Sequence, residues 1–391
     1  MFIIFILSLL LLICGITEQL QHNRRIQRIP IRIHVNGTRG KSTTTRLIAA
    51  GLREGGFKVL AKTTGTLPRL ILEDGTELPV KRRGNANISE QMKIISNGAK
   101  RRVDALVLEC MAVNPEPQWV SEHKMIKSTI GVITNVREDH LEDIGAGPDN
   151  TANILKLTIP KNGTLITTEK KYQSIFKEQA GKLNTKIIWA NPDDISDKVI
   201  NQFNYMNFKE NISIALQVNK LLGINEEIAL KGMLKTNPDP GALKVYKLSK
   251  SNKDLIFVNA FAANDRNSTL LIWEKLKEKF DLHNLPVMGI INSREDRALR
   301  SIQFAHILAH EIKPAKIILV GPLSKLTERT LLKLEVNPNK IINFKKFKRP
   351  EKVVDTVLKL FNKSGMLIGF GNTKGTGQNL IDYFEKFGEV I

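Results

Sequence analysis

One stretch, Val35-Asn36-Gly37-Thr38-Arg39-Gly40-Lys41-Ser42-Thr43, constrains this chain more than any other. It ends an apolar, β-rich run, Ile31–Asn36, and opens a segment with helical spacing, Ser42–Gly51. Strand, glycine-rich turn and helix in that order make a phosphate loop. The glycines let backbone N–H groups converge on phosphate oxygens, and the helix N-terminus adds positive potential. Asn36, Gly37, Thr38, Arg39, Gly40, Lys41, Ser42 and Thr43 are therefore candidate nucleotide-binding residues. Lys41 is placed to reach the β- and γ-phosphates of ATP, and the Ser42 hydroxyl to take Mg2+. The stretch departs from the common G-x-x-x-x-G-K-[ST] rule at Val35, where the first glycine usually stands.

The rest of the body reads as α/β. Further apolar runs at Ala105–Cys110, Ile130–Val136, Thr164–Thr167 and Lys186–Ala190 alternate with helical stretches, and a helix fits Ile212–Leu222. Short apolar strands separated by helices predict a largely parallel sheet covered on both faces. Asn237-Pro238-Asp239-Pro240-Gly241 then punctuates the chain as a linker. A second series follows, with strands at Leu255–Asn259, Val287–Ile291, Lys316–Val320, Lys340–Phe344 and Met366–Phe370. Helices there fit Thr269–Phe280, Ile302–Glu311, Leu326–Leu334, Glu351–Phe361 and Asn379–Phe387. The expected architecture is an N-terminal anchor (1–22), a P-loop ATP-binding domain (23–237) and a Rossmann-like α/β domain (238–391).

Residues Phe2 to Ile16 are apolar except for Ser8. As a helix that run is about 22 Å long, slightly short of the ~30 Å hydrocarbon core. A signal peptide has a cationic n-region and a small-residue cleavage site, and neither is visible, so an uncleaved anchor is expected. A short helix packed on a partner protein is the other reading. Arg24, Arg25, Arg28 and Arg32 follow the run and no Lys or Arg precedes it, which puts the body on the cytoplasmic face of the cell membrane. The same arginines are suited to anionic headgroups at the membrane surface.

Charge narrows the partners. Of 391 residues, 59 are Lys or Arg and 39 are Asp or Glu, a net +20 that suits a polyanion, an anionic membrane face or an acidic substrate. Hydrophobic residues at 42% and charged residues at 25% exclude a disordered or collagen-like chain. A membrane-associated P-loop ATPase acting on nucleic acid would explain the charge. However, aromatic residues are only 6% and no nucleic-acid module is recognisable, so no nucleic-acid partner is expected. Two cysteines, Cys14 and Cys110, fit a reducing compartment.

Two further residues bear on catalysis. Glu109 closes Leu106-Val107-Leu108-Glu109, and a carboxylate at the end of so apolar a strand is costly unless it is paired or holds a metal. It is a candidate Mg2+ ligand beside Ser42, with a structural ion pair as the alternative. At the end of the next strand, Thr134-Asn135-Val136-Arg137-Glu138-Asp139-His140-Leu141 carries His140 where ligands bind in open α/β sheets. His140 is a candidate for a second Mg2+ or for an ordered water, against an ordinary loop histidine.

G-T-x-G-K-S, a strand-terminal Glu109 and T-N-x-x-x-D-H-L together resemble the Mur ligase superfamily. That group includes the peptidoglycan amino-acid ligases and folylpolyglutamate synthase, either of which is an alternative activity here. Asn211-Ile212-Ser213-Ile214-Ala215-Leu216 is similar to the family's N-x-x-x-A-L helix start, which implies an adenine contact for Asn211. Asn135, Asp265 and Arg294 fall in segments that the resemblance places near nucleotide. Ala242 stands where the family's linker usually continues with Arg. Asn259, Phe261, Ala263 and Asp265 replace the usual Asp, Tyr, His and Pro of the family's D-Y-A-H-N-P.

The chain more closely resembles the ligase subunits of poly-γ-glutamate (capsule) synthases. N-G-x-R-G-K-S-T, K-T-T-G-T at Lys62–Thr66, E-C-M-A-V-N-P at Glu109–Pro115, D-P-G-A at Asp239–Ala242 and F-A-A-N-D at Phe261–Asp265 carry that likeness. The resemblance implies an ATP- and Mg2+-dependent amide ligase that adds glutamate to an anionic poly-γ-glutamate chain through an acyl phosphate. It also implies a small integral membrane subunit as partner. Lys41, Glu109 and His140 would then be catalytic. Lys156 would be a carbamylated metal bridge, with an exposed helical lysine as the alternative. Thr63, Thr64, Gly65 and Thr66 would line the acceptor site. Arg39, Lys62, Arg69 and the Lys81-Arg82-Arg83 run are candidates for the carboxylates of such a substrate, although the run equally suits a solvated loop.

Overall fold

The structure, a computed structural model, describes residues 2–65, 68–82, 86–137, 148–203, 205, 207–238, 243–263, 265–344 and 349–391, apart from the side chains of Pro148 and Asn267. The chain divides into two compact units, Met1–Asp239 and Pro240–Ile391.

In the first unit, β1 (Ile31–Asn36), β2 (Val59–Lys62), β3 (Arg69–Ile71), β4 (Glu77–Pro79), β5 (Ala105–Glu109), β6 (Ile130–Ile133), β7 (Thr164–Thr167) and β8 (Lys186–Trp189) form one sheet, among the described residues. Its order is β4-β3-β2-β5-β1-β6-β7-β8. Only the β2–β3 and β3–β4 pairs are antiparallel. β1 lies between β5 and β6, parallel to both, with Val35 opposite Glu109 and Asn36 opposite Ile133. A strand paired on both edges and covered on both faces needs a nearly continuous apolar sequence, and Ile33, Val35, Val107 and Val132 supply it at 0 to 1% exposure. The segment β2 to α3 (Glu90–Arg101) is an addition to the sequence reading. So are the helices Pro148–Leu155 and Glu226–Leu234.

α1 (Phe2–Gln27) is one unbroken helix of 26 residues, longer than its apolar run. No proline intervenes before Pro30, and the helix runs on through Gly15. Its side chains are exposed as far as Gln21, whereas His22 and Ile26 are buried. His22 Nε2 is 2.8 Å from the Met125 carbonyl, and Ile26 and Ile29 share a core cluster with Ile94, Ile95 and Ile126. Arg32 is likewise spent inside the unit, and not on headgroups. It donates to the carbonyls of Ile29, Ile126 and Lys127 at 2.6 to 3.2 Å.

The second unit is a sheet ordered β13-β12-β11-β14-β10-β9-β15. Its strands are β9 (Lys244–Lys250), β10 (Lys253–Asn259), β11 (Val287–Asn292), β12 (Lys316–Val320), β13 (Ile341–Asn343), β14 (Ser364–Gly371) and β15 (Glu389–Val390). β10 to β14 are parallel, and β9 folds back on β10 as an antiparallel hairpin strand. Helices Arg266–Lys279, Ala298–Ile307, Ser324–Lys333, Pro350–Leu358 and Thr376–Phe387 alternate with the strands. The two apolar series are thus two separate sheets, each with a parallel centre.

Candidate active site

The phosphate loop turns as its glycines require. Gly37 has φ 127° and Gly40 φ 80°, both in the region that favours glycine. Gly40 is the N-cap of α2 (Lys41–Glu54), and Thr44 N donates to its carbonyl at 2.8 Å. In this conformation Lys41 Nζ folds back on the loop, 2.6 Å from the Gly37 carbonyl and 3.3 Å from that of Thr38. Thr43 lies in the first turn of α2.

The Thr134-Asn135 dipeptide after β6 shapes this loop. Asn135 Oδ1 accepts from Arg39 N at 3.0 Å, and its Nδ2 donates to the Arg39 carbonyl at 3.0 Å. Thr134 Oγ1 donates to the same carbonyl at 2.6 Å, and Thr38 Oγ1 accepts from Arg137 N at 3.0 Å. Asn135 therefore holds the loop's backbone. Asn211 touches the opposite side, where a Cβ on Gly40 would lie 2.3 Å from its Oδ1, and it accepts from Thr44 Oγ1 at 3.3 Å. Asn36 departs from the sequence reading. Its side chain is 2% exposed and donates to Gln118 and Thr158, so only its backbone remains for a phosphate.

Glu109 stands at the C-terminal end of β5, 3% exposed. Its Oε2 accepts from Ser42 Oγ at 2.8 Å and from Thr64 N at 2.6 Å. One carboxylate and one hydroxyl beside a phosphate-binding turn are the hard oxygen donors that Mg2+ takes, the rest being water and phosphate oxygens. The residues present fit that ion. Gln91 Nε2 holds the Glu109 carbonyl at 3.0 Å, fixing the strand end. His140 and Thr66 lie outside the described residues, as do Asp239–Ala242 and Arg83.

The K-T-T-G segment lies next to Glu109, though not as a row of free substrate contacts. Thr63 and Arg69 pair through their backbones, with Thr63 N to the Arg69 carbonyl at 2.9 Å, and Thr64 Oγ1 reaches the Cys110 carbonyl at 3.5 Å. Gly65 follows in a bend. Lys62 is fully buried and pairs with Glu90 at 3.1 Å, while Arg82 grips the same carboxylate at 2.7 and 3.2 Å. Burial pulls the Lys62 ammonium below the usual lysine range, and Glu90 opposes that shift. A buried ammonium needs a counterion, and Glu90 occupies the place expected for a substrate carboxylate. Lys156 is engaged elsewhere in this conformation. It donates to Asn153 Oδ1 at 2.7 Å and lies in the field of Glu178, so its described contacts are away from the loop.

Behind the site, His34 of β1 is buried with Nδ1 2.8 Å from Glu122 Oε2, and Ser128 donates to the other carboxylate oxygen from N and Oγ at 2.9 and 2.8 Å. Glu122 sits in a π-helical turn, Ser121–Ile126. Sequence reasoning missed this cluster, because nothing in the spacing of His34 and Glu122 signals their contact. Burial alone would lower the His34 pKa, but the Cys110 sulfur and Glu122 beside it push it up to about 10. Burial, with the His34 charge adding to it, holds the nearby His123 below the ordinary histidine range. The imidazolium's contribution to stability is therefore complete below the ordinary histidine pKa of ~6.5 and is lost as pH rises towards about 10. Glu122→Gln should cost about 3–5 kcal/mol at pH 7 by leaving that charge unpaired. Thermal unfolding from pH 6 to 10 should fall less steeply in the variant than in the wild type. Parallel curves would mean that His34 is neutral.

In the second unit, Asp265 caps the helix Arg266–Lys279, accepting from Ser268 N at 2.8 Å and Ser268 Oγ at 2.6 Å. Arg294 donates to Asp296 at 2.7 Å. Both side chains have local structural partners, which the resemblance to nucleotide-binding segments did not reveal.

Residues 35–237 match the Mur ligase middle domain, and residues 245–387 match the poly-gamma-glutamate synthase CapB C-terminal domain. The capsule biosynthesis protein CapB of Bacillus anthracis is 40% identical over 97% of this chain and 82% of its own length. The PGA synthase CapB of Bacillus subtilis (strain 168) is 37% identical over 99% of this chain and 98% of its own. Among solved structures, E. coli FolC in complex with ADP superposes with a TM-score of 0.70 over 94% of this chain and 92% of that one, at 14% identity. A Yersinia pestis folylpolyglutamate synthase/dihydrofolate synthase, complexed with AMPPNP and Mn ion, gives 0.68 over 94% and 93%, also at 14% identity. MurF from Acinetobacter baumannii gives 0.65 over 94% and 80%, at 16% identity. The likeness to these structures is one of fold. The match of the middle domain and the near full-length identity with two CapB proteins place the chain in the Mur ligase family, among the poly-γ-glutamate synthase CapB proteins.

Proposed function

We propose that this protein is an ATP-dependent amide ligase that extends poly-γ-glutamate for a capsule or exopolymer. The carrying observation is the 2.8 Å contact between Ser42 Oγ and Glu109 Oε2, which joins the phosphate loop to the end of the neighbouring strand within a chain of this family. In the reaction, the terminal carboxylate of the growing chain attacks the γ-phosphorus of ATP, the bond to ADP breaks, and an acyl phosphate forms. The amine of an incoming glutamate then attacks the acyl carbon. An amide bond forms, phosphate leaves and the amine gives up a proton.

Such a phosphoryl transfer depends on positioning and on neutralising charge. Lys41 supplies a cation at the γ-phosphate once it leaves the Gly37 carbonyl for the nucleotide. Thr38 N and Arg39 N are held by Asn135, which leaves the backbone N–H groups of Gly40, Lys41 and Ser42 to orient the phosphates. Ser42 and Glu109 would hold Mg2+, which adds positive charge to the transferring phosphoryl group. His140 is proposed as an additional ligand and Lys156 as a carbamylated bridge. Rescue of Lys156→Ala by added carbonate would support the bridge, and full activity without rescue would remove it.

The apolar run of α1 is proposed as a membrane anchor with the catalytic units on the cytoplasmic face, beside a small integral membrane subunit. His22 and Ile26 are seated in the first unit, so removing residues 2–20 should leave ATP binding intact and release the protein from membranes. Retained attachment would place the anchor elsewhere. The function itself is tested with membranes carrying the protein, ATP, Mg2+ and labelled D- or L-glutamate. Label should enter polymer cut only by a γ-glutamyl hydrolase, in step with ADP release, and Lys41→Ala should abolish both. ATP turnover without γ-linked product, even with the membrane subunit supplied, would reject the substrate.

A further inference from the structure

A cleft of about 370 Å³ lies within the first unit, between the later turns of α2, the β3–β4 hairpin and the segment Lys235–Asn237. Each carboxylate on its wall is already answered. Glu77 accepts from Arg46, and Glu54 is held by Lys231 and Lys235 at 3.0 and 2.7 Å. Glu73 takes Arg101 at 2.9 Å, and Asp74 accepts from Thr76 N and Oγ1 at 2.9 Å each. Two donors set just behind the wall are not answered. Arg53 Nη1 is buried with no hydrogen-bond partner, and so is Thr236 Oγ1. The Arg53 guanidinium packs beneath the turn at Gly75, where a Cβ would lie 3.8 Å from Nε. Burial holds its pKa below the usual arginine value, and the fields of Glu77 and Asp74 only partly offset that.

A buried guanidinium N–H without an acceptor is a standing cost, and an incoming carboxylate relieves it with a charge-assisted bond. Glu73 and Asp74 on the hairpin disfavour a second anionic group close beside them, so further carboxylates of a ligand would have to point out of the cleft. The two acids suit a ligand that presents one carboxylate to Arg53 and a cationic or amide nitrogen to the hairpin. The volume is at the small end of ligand sites, enough for one or two amino-acid units.

We propose that this cleft is a second site for a glutamyl carboxylate, separate from the phosphate loop and centred on Arg53 and Thr236. The identity of the ligand rests on the function proposed above. Free glutamate and a glutamyl unit of the polymer present the same chemistry, and the probes below separate them.

The test measures equilibrium binding of labelled glutamate and of a γ-linked glutamate tetramer to the full-length, nucleotide-free protein at low ionic strength. Arg53→Met should weaken one class of site at least tenfold, Arg53→Lys less, and Thr236→Val by a few-fold. ATP-analogue affinity should be unchanged in all three, as a check of folding. Loss of glutamate binding assigns the site to the free amino acid, and loss of tetramer binding alone assigns it to the chain. Binding of both probes that Arg53→Met spares overturns the proposal, as does binding that Lys41→Ala removes and Arg53→Met does not. Product formation is followed on the same preparations. A wild type that makes no γ-linked product rejects the proposed function, whereas product together with Arg53-independent binding rejects only the cleft.

Discussion

Glu109→Gln should lower the rate of ADP release coupled to polymer by about 10³-fold, roughly 4 kcal/mol of transition-state stabilisation. Glutamine preserves the shape of the side chain and can still accept from Ser42 and Thr64, so the fold has little to lose. What disappears is the negative charge that Ser42 Oγ and Thr64 N converge on at 2.8 and 2.6 Å. Without it the site keeps a hydroxyl but no anionic oxygen for a divalent cation, and the transferring phosphoryl group loses its neutralisation. Nucleotide affinity in the absence of metal should change little, whereas the Mg2+ concentration for half-maximal rate should rise steeply. A variant with normal Mg2+ dependence and near-normal rate would make Glu109 a structural hydrogen-bond acceptor only.

Gly37→Ala should weaken ATP binding at least 100-fold, about 2.7 kcal/mol. Two costs combine. At φ 127° a side chain is strained, and the added Cβ would lie 2.1 Å from Thr134 Oγ1 and 2.8 Å from Thr134 N. The loop then has to move away from the dipeptide that fixes the Arg39 carbonyl, and its N–H groups lose their convergence. The loss should appear in direct binding of a non-hydrolysable ATP analogue, with the second unit's unfolding transition unchanged. Tight analogue binding in this variant would mean that the loop holds phosphate in a different conformation.

The parts legible in the sequence are those in which chemistry dictates residue type. The phosphate loop could be read because few residues other than glycine turn a backbone that way. The central strands could be read because burial on both faces forces apolar runs. Helix Glu90–Arg101 was missed because Asn97-Gly98 inside it looks like a turn. In the fold Gly98 is needed for close packing, since a Cβ there would meet Ile29 at 3.2 Å and Val103 at 3.3 Å. Lys62 and Asn36 illustrate the complementary difficulty. Both stand in motifs that point to ligand, yet their partners, Glu90 and Gln118, come from segments 28 and 82 positions away, which local spacing does not report. Arg53 was overlooked for the same reason, as its surroundings outside its own helix come from two distant stretches of chain, residues 71–77 and 232–237.

With its apolar run as the membrane anchor proposed above, the unbroken α1 would be a strut and not a tether. For a bilayer that takes up residues 2–16, the folded body begins near His22, roughly 9 Å further along the helix. That is about one Debye length at physiological ionic strength, over which the potential of an anionic leaflet falls to roughly a third. With no swivel between the apolar run and the body, this height is fixed. A nascent polyanion would leave the protein from a constant altitude, under a weakened but constant repulsion from the surface below. Inserting Gly-Gly after Leu20 would loosen the height without touching either sheet, and would turn this electrostatic ruler into a variable that polymer length can report.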